Sequence, residues 1–180
     1  MPPYRLTGSE QLLAGPRAAV RRDRVRWPDG LEGEFTVFEG PQAAVMVPVD
    51  DRMYTVLVRQ WRHAWATTSW EAPAGTLEPG EDAWEGARRE LAEEAGLEAA
   101  EWLPLGTARA TAMGTIAFHL FLARRLRRVE RSPEQYERDM VVRELPLVEA
   151  IAEALNGGIE HAASIAALVR AGARVGLGAG

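Results

Sequence analysis

The sequence predicts an α/β/α sandwich in which helices cover a mixed β-sheet, with a further β extension at the N-terminus. Segments rich in β-branched residues fill much of the first third of the chain and are typical of strands. One helical segment lies in the middle of the chain, and two more lie near its end. Strands flanked by helices in this way indicate the sandwich architecture.

The N-terminal part is predicted to be an irregular arm followed by two pairs of strands. Scattered Pro and Gly with weak periodicity make residues 1–16 an arm. Residues 17–39 are predicted to form a hairpin that turns at Pro28-Asp29-Gly30. Residues 43–49 and 53–59 are strand-like and β-branched, and a short polar turn separates them.

The central part is predicted to be a loop, a helix and a strand. Pro and Gly punctuate residues 70–80, which we expect to be a loop that leads into a helix over residues 82–95. Gly96 suits the left-handed conformation that commonly ends a helix. Alternating apolar residues over 115–123 predict another strand.

The C-terminal part is predicted to begin with a polar loop over residues 132–139 and a strand over residues 140–145. Two helices should follow, over residues 147–155 and 159–171.

The length of 180 residues, 47% of them hydrophobic, suffices for one packed domain with modest extensions. We expect that domain over residues 41–172, an N-terminal arm and hairpin over residues 1–40, and a flexible tail over residues 173–180. No segment resembles a signal peptide, and no apolar run approaches the length of a membrane span. We therefore expect a cytoplasmic protein that does not enter a membrane.

Composition restricts the possible ligands. The net charge of -5 argues against nonspecific nucleic-acid binding, which depends on many cationic contacts to phosphates. Cysteine is absent, so a metal would have to be held by oxygen atoms or by the three histidines. Such a ligand set favours a hard cation such as Mg²⁺.

Two glutamates of the predicted helix lie on one of its faces. Glu90 and Glu94 are separated by roughly 40° on a helical wheel, and neither has an arginine three or four residues away. Two uncompensated carboxylates beside apolar neighbours would be costly to desolvate unless a divalent cation supplied the opposite charge. Spacing alone also allows an exposed, merely acidic helix.

A longer motif surrounds this pair. Gly75-Thr76-Leu77-Glu78-Pro79-Gly80-Glu81 is followed, after seven residues, by Arg89-Glu90-Leu91-Ala92-Glu93-Glu94-Ala95-Gly96-Leu97. This segment resembles the Nudix box of the Nudix hydrolase superfamily. Three further segments resemble the ADP-ribose pyrophosphatase branch of that superfamily, namely residues 58–62, 70–75 and 157–164.

The resemblance implies a metal site. In the family, the glutamates that match Glu90 and Glu94 bind a divalent metal, and the backbone carbonyl at the position of Ala74 is a further ligand. Glu93 and Glu81 are implied to lie close to the metal. The arginine that matches Arg89 usually orients a glutamate of the box. We expect Mg²⁺, with Mn²⁺ as a possible substitute.

The resemblance also implies where the catalytic base lies. In ADP-ribose pyrophosphatases it is on a loop well after the box, which corresponds here to residues 132–139. Glu137 is the first candidate, followed by Glu134 and Asp139, because alignment through this loop shifts by a residue or more. Each could equally be an ordinary loop acid, in which case Glu93 becomes the candidate within the box.

Several residues before the box are candidates for substrate binding. Arg59 and Arg62 could contact phosphate or the terminal sugar, because guanidinium groups suit such oxygens. Trp61 or Trp70 could stack on a base, or could belong to the core or a dimer interface. Two more candidates come from the entrance of the box: Glu71, for the nucleoside or a partner chain, and Gly75.

The expected function is metal-dependent hydrolysis of the diphosphate bond of ADP-ribose or a related nucleoside diphosphate sugar, giving a nucleoside monophosphate and a sugar phosphate. Thr111-Ala112-Met113-Gly114 lacks the proline that this branch typically has about sixteen residues after the box, which leaves other nucleoside diphosphate sugars open. The alternatives are a nucleoside triphosphate pyrophosphatase and a non-catalytic nucleotide sensor. The resemblance also implies a homodimer in which N-terminal strands help to form the partner's nucleotide site.

Overall fold

The computed structural model describes residues 1–132 and 139–177, and it divides into two compact units. The N-terminal unit contains residues 1–42 and 109–117. The larger unit contains residues 43–108 and the described residues from 118 onward.

The N-terminal unit is built on a three-stranded antiparallel sheet in the order β1-β2-β3. Its strands are β1 (Arg5–Ala14), β2 (Ala19–Arg26) and β3 (Glu32–Glu39). The predicted hairpin is confirmed as β2 and β3. The expectation of an irregular arm over residues 1–16 is wrong, because β1 pairs with β2 along almost its whole length.

The signal for β1 is absent from the sequence because most of this strand is exposed. A strand with one buried face shows alternating apolar residues, whereas here the backbone ladder and cross-strand polar pairs hold the strand. Ser9 Oγ donates to Asp23 Oδ1 at 2.7 Å, and the Arg24 guanidinium lies 3.2 Å from the Glu10 carboxylate. Arg21 also donates to Asp23, and the hydrogen bonds from Arg21 and Ser9 lower the pKa of the Asp23 carboxyl group.

The larger unit contains a seven-stranded mixed sheet and, in its described part, three α-helices and a short 3-10 helix (His63–Trp65). The central order is β10-β5-β4-β9-β8, with β6 paired to β5 and β7 paired to β4. The strands are β4 (Ala43–Val49), β5 (Tyr54–Arg62), β6 (Thr67–Glu71), β7 (Ala74–Thr76), β8 (Leu97–Arg109), β9 (Ala117–Arg128) and β10 (Val141–Pro146). The helices are α1 (Ala83–Ala95), α2 (Leu147–Leu155) and α3 (Ala162–Arg174).

Helices cover both faces of this sheet, which confirms the predicted α/β/α fold. Along β4, Val45 and Val47 pack into the core that α2 and α3 complete. The alternate residues Ala44 and Met46 pack into a second core with α1. Strand β4 is buried on both faces and pairs in parallel with β9 and antiparallel with β5 and β7, which makes the sheet mixed.

Some predicted elements differ from the structure. The predicted loop over residues 70–80 contains the end of β6 and all of the three-residue β7. Strand β8 had no predicted counterpart, and β9 continues into the arginine-rich segment that follows residue 123. Helix α3 begins at Ala162 and runs to Arg174, so it enters the segment predicted to be a flexible tail. No helix among the described residues is both long enough and apolar enough to cross a membrane.

Candidate active site

Helix α1 carries the two central carboxylates on its buried face. Asp82 caps the helix by accepting from the Trp84 backbone N–H at 2.8 Å, and Gly96 ends it in the left-handed conformation with φ of 64°. Glu90 and Glu94 are buried beside Ala87 and Leu91, and Glu94 is 0% exposed. The alternative of an exposed acidic helix therefore does not hold.

Strand β7 lies directly against these carboxylates. The Ala74 backbone N–H donates to Glu94 Oε2 at 2.8 Å, and Ala74 is the partner of Val45 in the β4–β7 ladder. A Cβ atom on Gly75 would overlap the carboxylate of Glu90. The backbone and the carboxylate can approach this closely because glycine has no side chain.

Arg89 connects the loop of the box to the helix. Its guanidinium donates to Glu81 at 3.0 Å, to Glu90 Oε1 at 2.8 Å, to Glu93 Oε2 at 3.0 Å and to the Thr76 carbonyl at 3.1 Å. These contacts raise the pKa of Arg89, with the hydrogen bond to Glu81 as the largest cause, and the same bond lowers the pKa of Glu81. The role implied for Arg89, orienting a box glutamate, agrees with this arrangement.

One part of the spacing argument was wrong. Glu90 was expected to be uncompensated because no arginine lies three or four residues away, yet Arg89, its immediate neighbour, reaches it. A helical wheel gives each residue a single direction, whereas the long, flexible arginine side chain can bend along the helix surface to reach its neighbour. Arg89 also forms an ion pair with Glu93, four residues further along the helix.

The residues present fit a divalent cation bound through few protein ligands. Among residues 1–132 and 139–177, no three His, Asp or Glu side chains are grouped as a complete metal cage. Mg²⁺ does not need such a cage, since it usually takes one or two carboxylates and keeps water and substrate phosphate as its other ligands. Glu90 and Glu94 supply two neighbouring carboxylates of this kind, with the Ala74 backbone beside them.

A second polar network lies just before the box. Both carboxylate oxygens of the fully buried Glu71 accept from the Arg62 guanidinium, and Glu71 Oε2 lies 3.1 Å from His161 Nδ1. His161 Nδ1 is also 2.8 Å from Ser164 Oγ, which accepts from the Ala72 backbone N–H at 2.9 Å. Burial lowers the pKa of His161, and Arg62 adds to this effect while Glu71 opposes it.

These contacts bear on the residues predicted to bind substrate. Arg62 donates to Glu71, so a ligand that binds to either side chain must accept this ion pair as it is or replace its hydrogen bonds. The Arg59 guanidinium lies 5.3 Å from the ring centre of Trp70, and the Arg143 guanidinium lies 4.4 Å from the same ring centre. Trp70 packs against the core, whereas Trp61 is 58% exposed.

Two of the three loop candidates for the catalytic base lie outside the described residues. Glu137 and Glu134 belong to residues 133–138 and are not described, so both assignments stay predictions. Asp139 is described and is exposed in a turn immediately before β10.

The family model of the NUDIX domain matches residues 40–168, which is more than half of the chain and includes the whole of α1 and the strands around it.

The chain belongs to the NUDIX family.

Relatives of similar length support the narrower resemblance. The chain is 35% identical to a protein named ADP-ribose pyrophosphatase from Mycobacterium tuberculosis, over 92% of this chain and 82% of that protein. It is 32% identical to an ADP-ribose pyrophosphatase of Bacillus subtilis and to a methanol dehydrogenase activator of Bacillus methanolicus, in both cases over 79% of this chain and 78% of the relative.

A solved structure described as an ADP compounds hydrolase has the same fold. It superimposes with a TM-score of 0.84 over 98% of this chain and 95% of that chain, at 19% sequence identity. The predicted family and fold class are therefore confirmed. Nudix hydrolases generally need a divalent metal, and this requirement agrees with the buried carboxylates of α1.

Sequence reasoning did not identify the network of Arg62, Glu71, His161 and Ser164. The segment over residues 157–164 resembles the ADP-ribose pyrophosphatase branch, which could have drawn attention to His161 and Ser164. Their partners lie about ninety residues earlier in the chain, as in the contact of Ser164 with Ala72. A pattern confined to one segment therefore cannot show what these side chains contact.

Proposed function

We propose that this protein hydrolyses the diphosphate bond of ADP-ribose, or of a closely related nucleoside diphosphate sugar, in a reaction that depends on Mg²⁺. The observation that carries the proposal is the burial of Glu90 and Glu94 side by side on α1, against the backbone of Ala74 and Gly75. The two relatives named ADP-ribose pyrophosphatase support the choice of substrate.

The difficulty of the reaction lies in charge. Attack on a diphosphate brings a nucleophile to a centre surrounded by anionic oxygens, so these charges must be offset and the water must be oriented. A divalent cation, when bound, supplies Lewis-acid stabilisation of the phosphate oxygens and lowers the pKa of water. Glu90 and Glu94 would hold it, with the Ala74 carbonyl and Glu93 as further ligands, and Mn²⁺ could replace Mg²⁺.

The remaining tasks fall to residues outside this pair. Arg89 holds Glu90 and Glu93 in place through its hydrogen bonds, so the carboxylates are oriented before a ligand arrives. Arg59 and Arg62 would contact the phosphates or the terminal sugar. Glu137 would accept the proton of the attacking water, with Glu134 as the second candidate.

A homodimer with composite sites is part of the proposal. Five large apolar side chains are exposed on the sheet of the N-terminal unit, namely Leu6, Leu12, Leu13, Phe35 and Phe38. They lie on both faces of the sheet, because Phe35 and Phe38 are at an odd spacing along β3, and a partner chain could cover apolar surface of this kind. A second copy of the chain is the occupant that the resemblance to ADP-ribose pyrophosphatases implies.

A substrate panel with product identification tests the proposal. Purified wild-type protein with Mg²⁺ is mixed in turn with ADP-ribose, other nucleoside diphosphate sugars and nucleoside triphosphates, and a chelator provides the metal-free control. We expect ADP-ribose to be split into AMP and a ribose phosphate, and the chelator to abolish the reaction. Faster release of pyrophosphate from a nucleoside triphosphate would contradict the proposed substrate class, and absence of turnover on every compound would contradict catalysis.

A further inference from the structure

Three consecutive residues at the entrance of the box are each held by a different element. The Ala72 N–H donates to Ser164 Oγ of α3 at 2.9 Å, and the Pro73 carbonyl accepts from the Met46 N–H of β4 at 2.9 Å. The Ala74 N–H then donates to Glu94 Oε2 of α1 at 2.8 Å. The path of this short segment is therefore determined from three directions.

Ser164 supplies the contact from the C-terminal helix. Its side chain is fully buried, and so is Ala72, so the amide of Ala72 has no water to replace the serine hydroxyl. A buried amide that loses its acceptor is destabilised far more than an exposed one, and the backbone tends to shift until the amide finds a new partner.

The orientation of Ser164 is itself held by neighbouring side chains. His161 Nδ1 lies 2.8 Å from Ser164 Oγ and 3.1 Å from Glu71 Oε2. Because Nδ1 faces a carboxylate that is already ion-paired with Arg62, we assign the imidazole proton to Nδ1. The serine oxygen then accepts from both Nδ1 and the Ala72 amide, which limits the rotation of its hydroxyl group.

We propose that Ser164 is a positioning residue for the metal site. By fixing the Ala72 amide it holds the following two residues in register on β4, and so keeps the Ala74 backbone at the carboxylate of Glu94. The inference rests on the proposed function in one respect, namely that Glu94 is a metal ligand. On this inference α3, although far from the box in sequence, helps to position Glu94 and the backbone beside it.

The test compares two substitutions with different effects on packing. Ser164→Ala removes the hydroxyl group and leaves a small cavity, whereas Ser164→Cys keeps a side chain of similar size with a much weaker acceptor. The matched control is Thr55→Val, because Thr55 is also buried and its Oγ1 has no hydrogen-bond partner among the described residues.

Two readouts do not require turnover. Amide hydrogen exchange over residues 72–76 should be faster by about tenfold in both Ser164 variants, since each has lost the acceptor of a buried amide. Mn²⁺ binding, followed by electron paramagnetic resonance, should weaken by about tenfold, as is typical when the support of a ligand is removed. The control should match the wild type in both measurements.

Kinetics provide the third readout. At saturating metal we expect kcat to fall in both Ser164 variants while KM for ADP-ribose stays nearly constant, because the substrate contacts are unchanged. The inference is overturned if Ser164→Ala exchanges and binds Mn²⁺ like the wild type. It is also overturned if only the alanine variant is affected, since packing would then be the cause. If the wild type fails to cleave ADP-ribose, the proposed substrate is wrong, yet exchange and Mn²⁺ binding still decide the role of Ser164.

Discussion

Replacing Gly75 with alanine tests how closely the box backbone approaches the Glu90 carboxylate. The added Cβ would overlap that carboxylate, which would have to withdraw by more than an ångström to restore even the shortest contacts that real Cβ atoms make. Arg89 opposes this movement, because it holds Glu90 Oε1 at 2.8 Å and is itself bound to Glu81 and Glu93. Either the carboxylate or β7 must therefore move.

A displacement of about 1 Å at a catalytic group can cost on the order of a hundredfold in rate. We therefore expect Gly75→Ala to lower kcat with ADP-ribose by about that factor and to weaken Mn²⁺ binding in the same sample. The control is Gly158→Ala, where the added Cβ would meet the Glu153 carbonyl oxygen at 3.3 Å, a tight contact that a shift of a few tenths of an ångström relieves, far from the carboxylates of α1. Near-wild-type turnover and metal affinity in a folded Gly75→Ala protein would refute the close approach described here.

Three further predictions concern the base, pH and assembly. Glu137→Gln should lower kcat by roughly a hundredfold or more while leaving metal affinity nearly unchanged. If Glu137→Gln, Glu134→Gln and Asp139→Asn each lower kcat by less than about threefold, Glu93 becomes the better candidate for the base. Folding lowers the pKa of His161, so the unfolded chain binds a proton at this histidine more readily than the folded chain does. The contribution of the buried neutral imidazole to folding stability is therefore present above about pH 6.5 and is lost as the pH falls below that value. Urea unfolding at several pH values should show this loss in the wild type and a flatter profile in His161→Gln, and identical profiles would contradict it. Light scattering should give a dimer at micromolar concentration in the buffer used for activity, and an active monomer would contradict composite sites.

The central helix and its carboxylates could be predicted because the relevant signals are local. The Pro and Gly residues that end with Gly80 and the glycine at position 96 bound this segment, and the structure has the helix between them, over Ala83–Ala95. The burial of Glu94 follows from its place on the same face as Ala87 and Leu91. Local sequence therefore determines both the element and the direction of its functional side chains.

Other features could not be predicted because they depend on partners that are distant in sequence or on side-chain flexibility. Strand β1 has no apolar alternation, since β2 holds it through backbone and polar contacts while most of its side chains remain exposed. The bond between Arg89 and Glu90 depends on the path of a long side chain, which the periodicity of a helix does not specify. The bond of Ser164 to Ala72 joins residues 92 positions apart, so it exists only once α3 has packed against the sheet.

The central claim is that Glu94 holds a divalent metal that the reaction needs. Glu94→Gln tests it most directly, because the amide keeps the shape of the side chain and removes its charge. Mn²⁺ binding and Mg²⁺-dependent cleavage of ADP-ribose are measured on the same folded sample, with Glu149→Gln as the control at an exposed glutamate in the first turn of α2. We expect Glu94→Gln to lose metal binding and at least about a hundredfold in turnover. A folded Glu94→Gln protein that binds Mn²⁺ and turns over like the wild type would contradict the account.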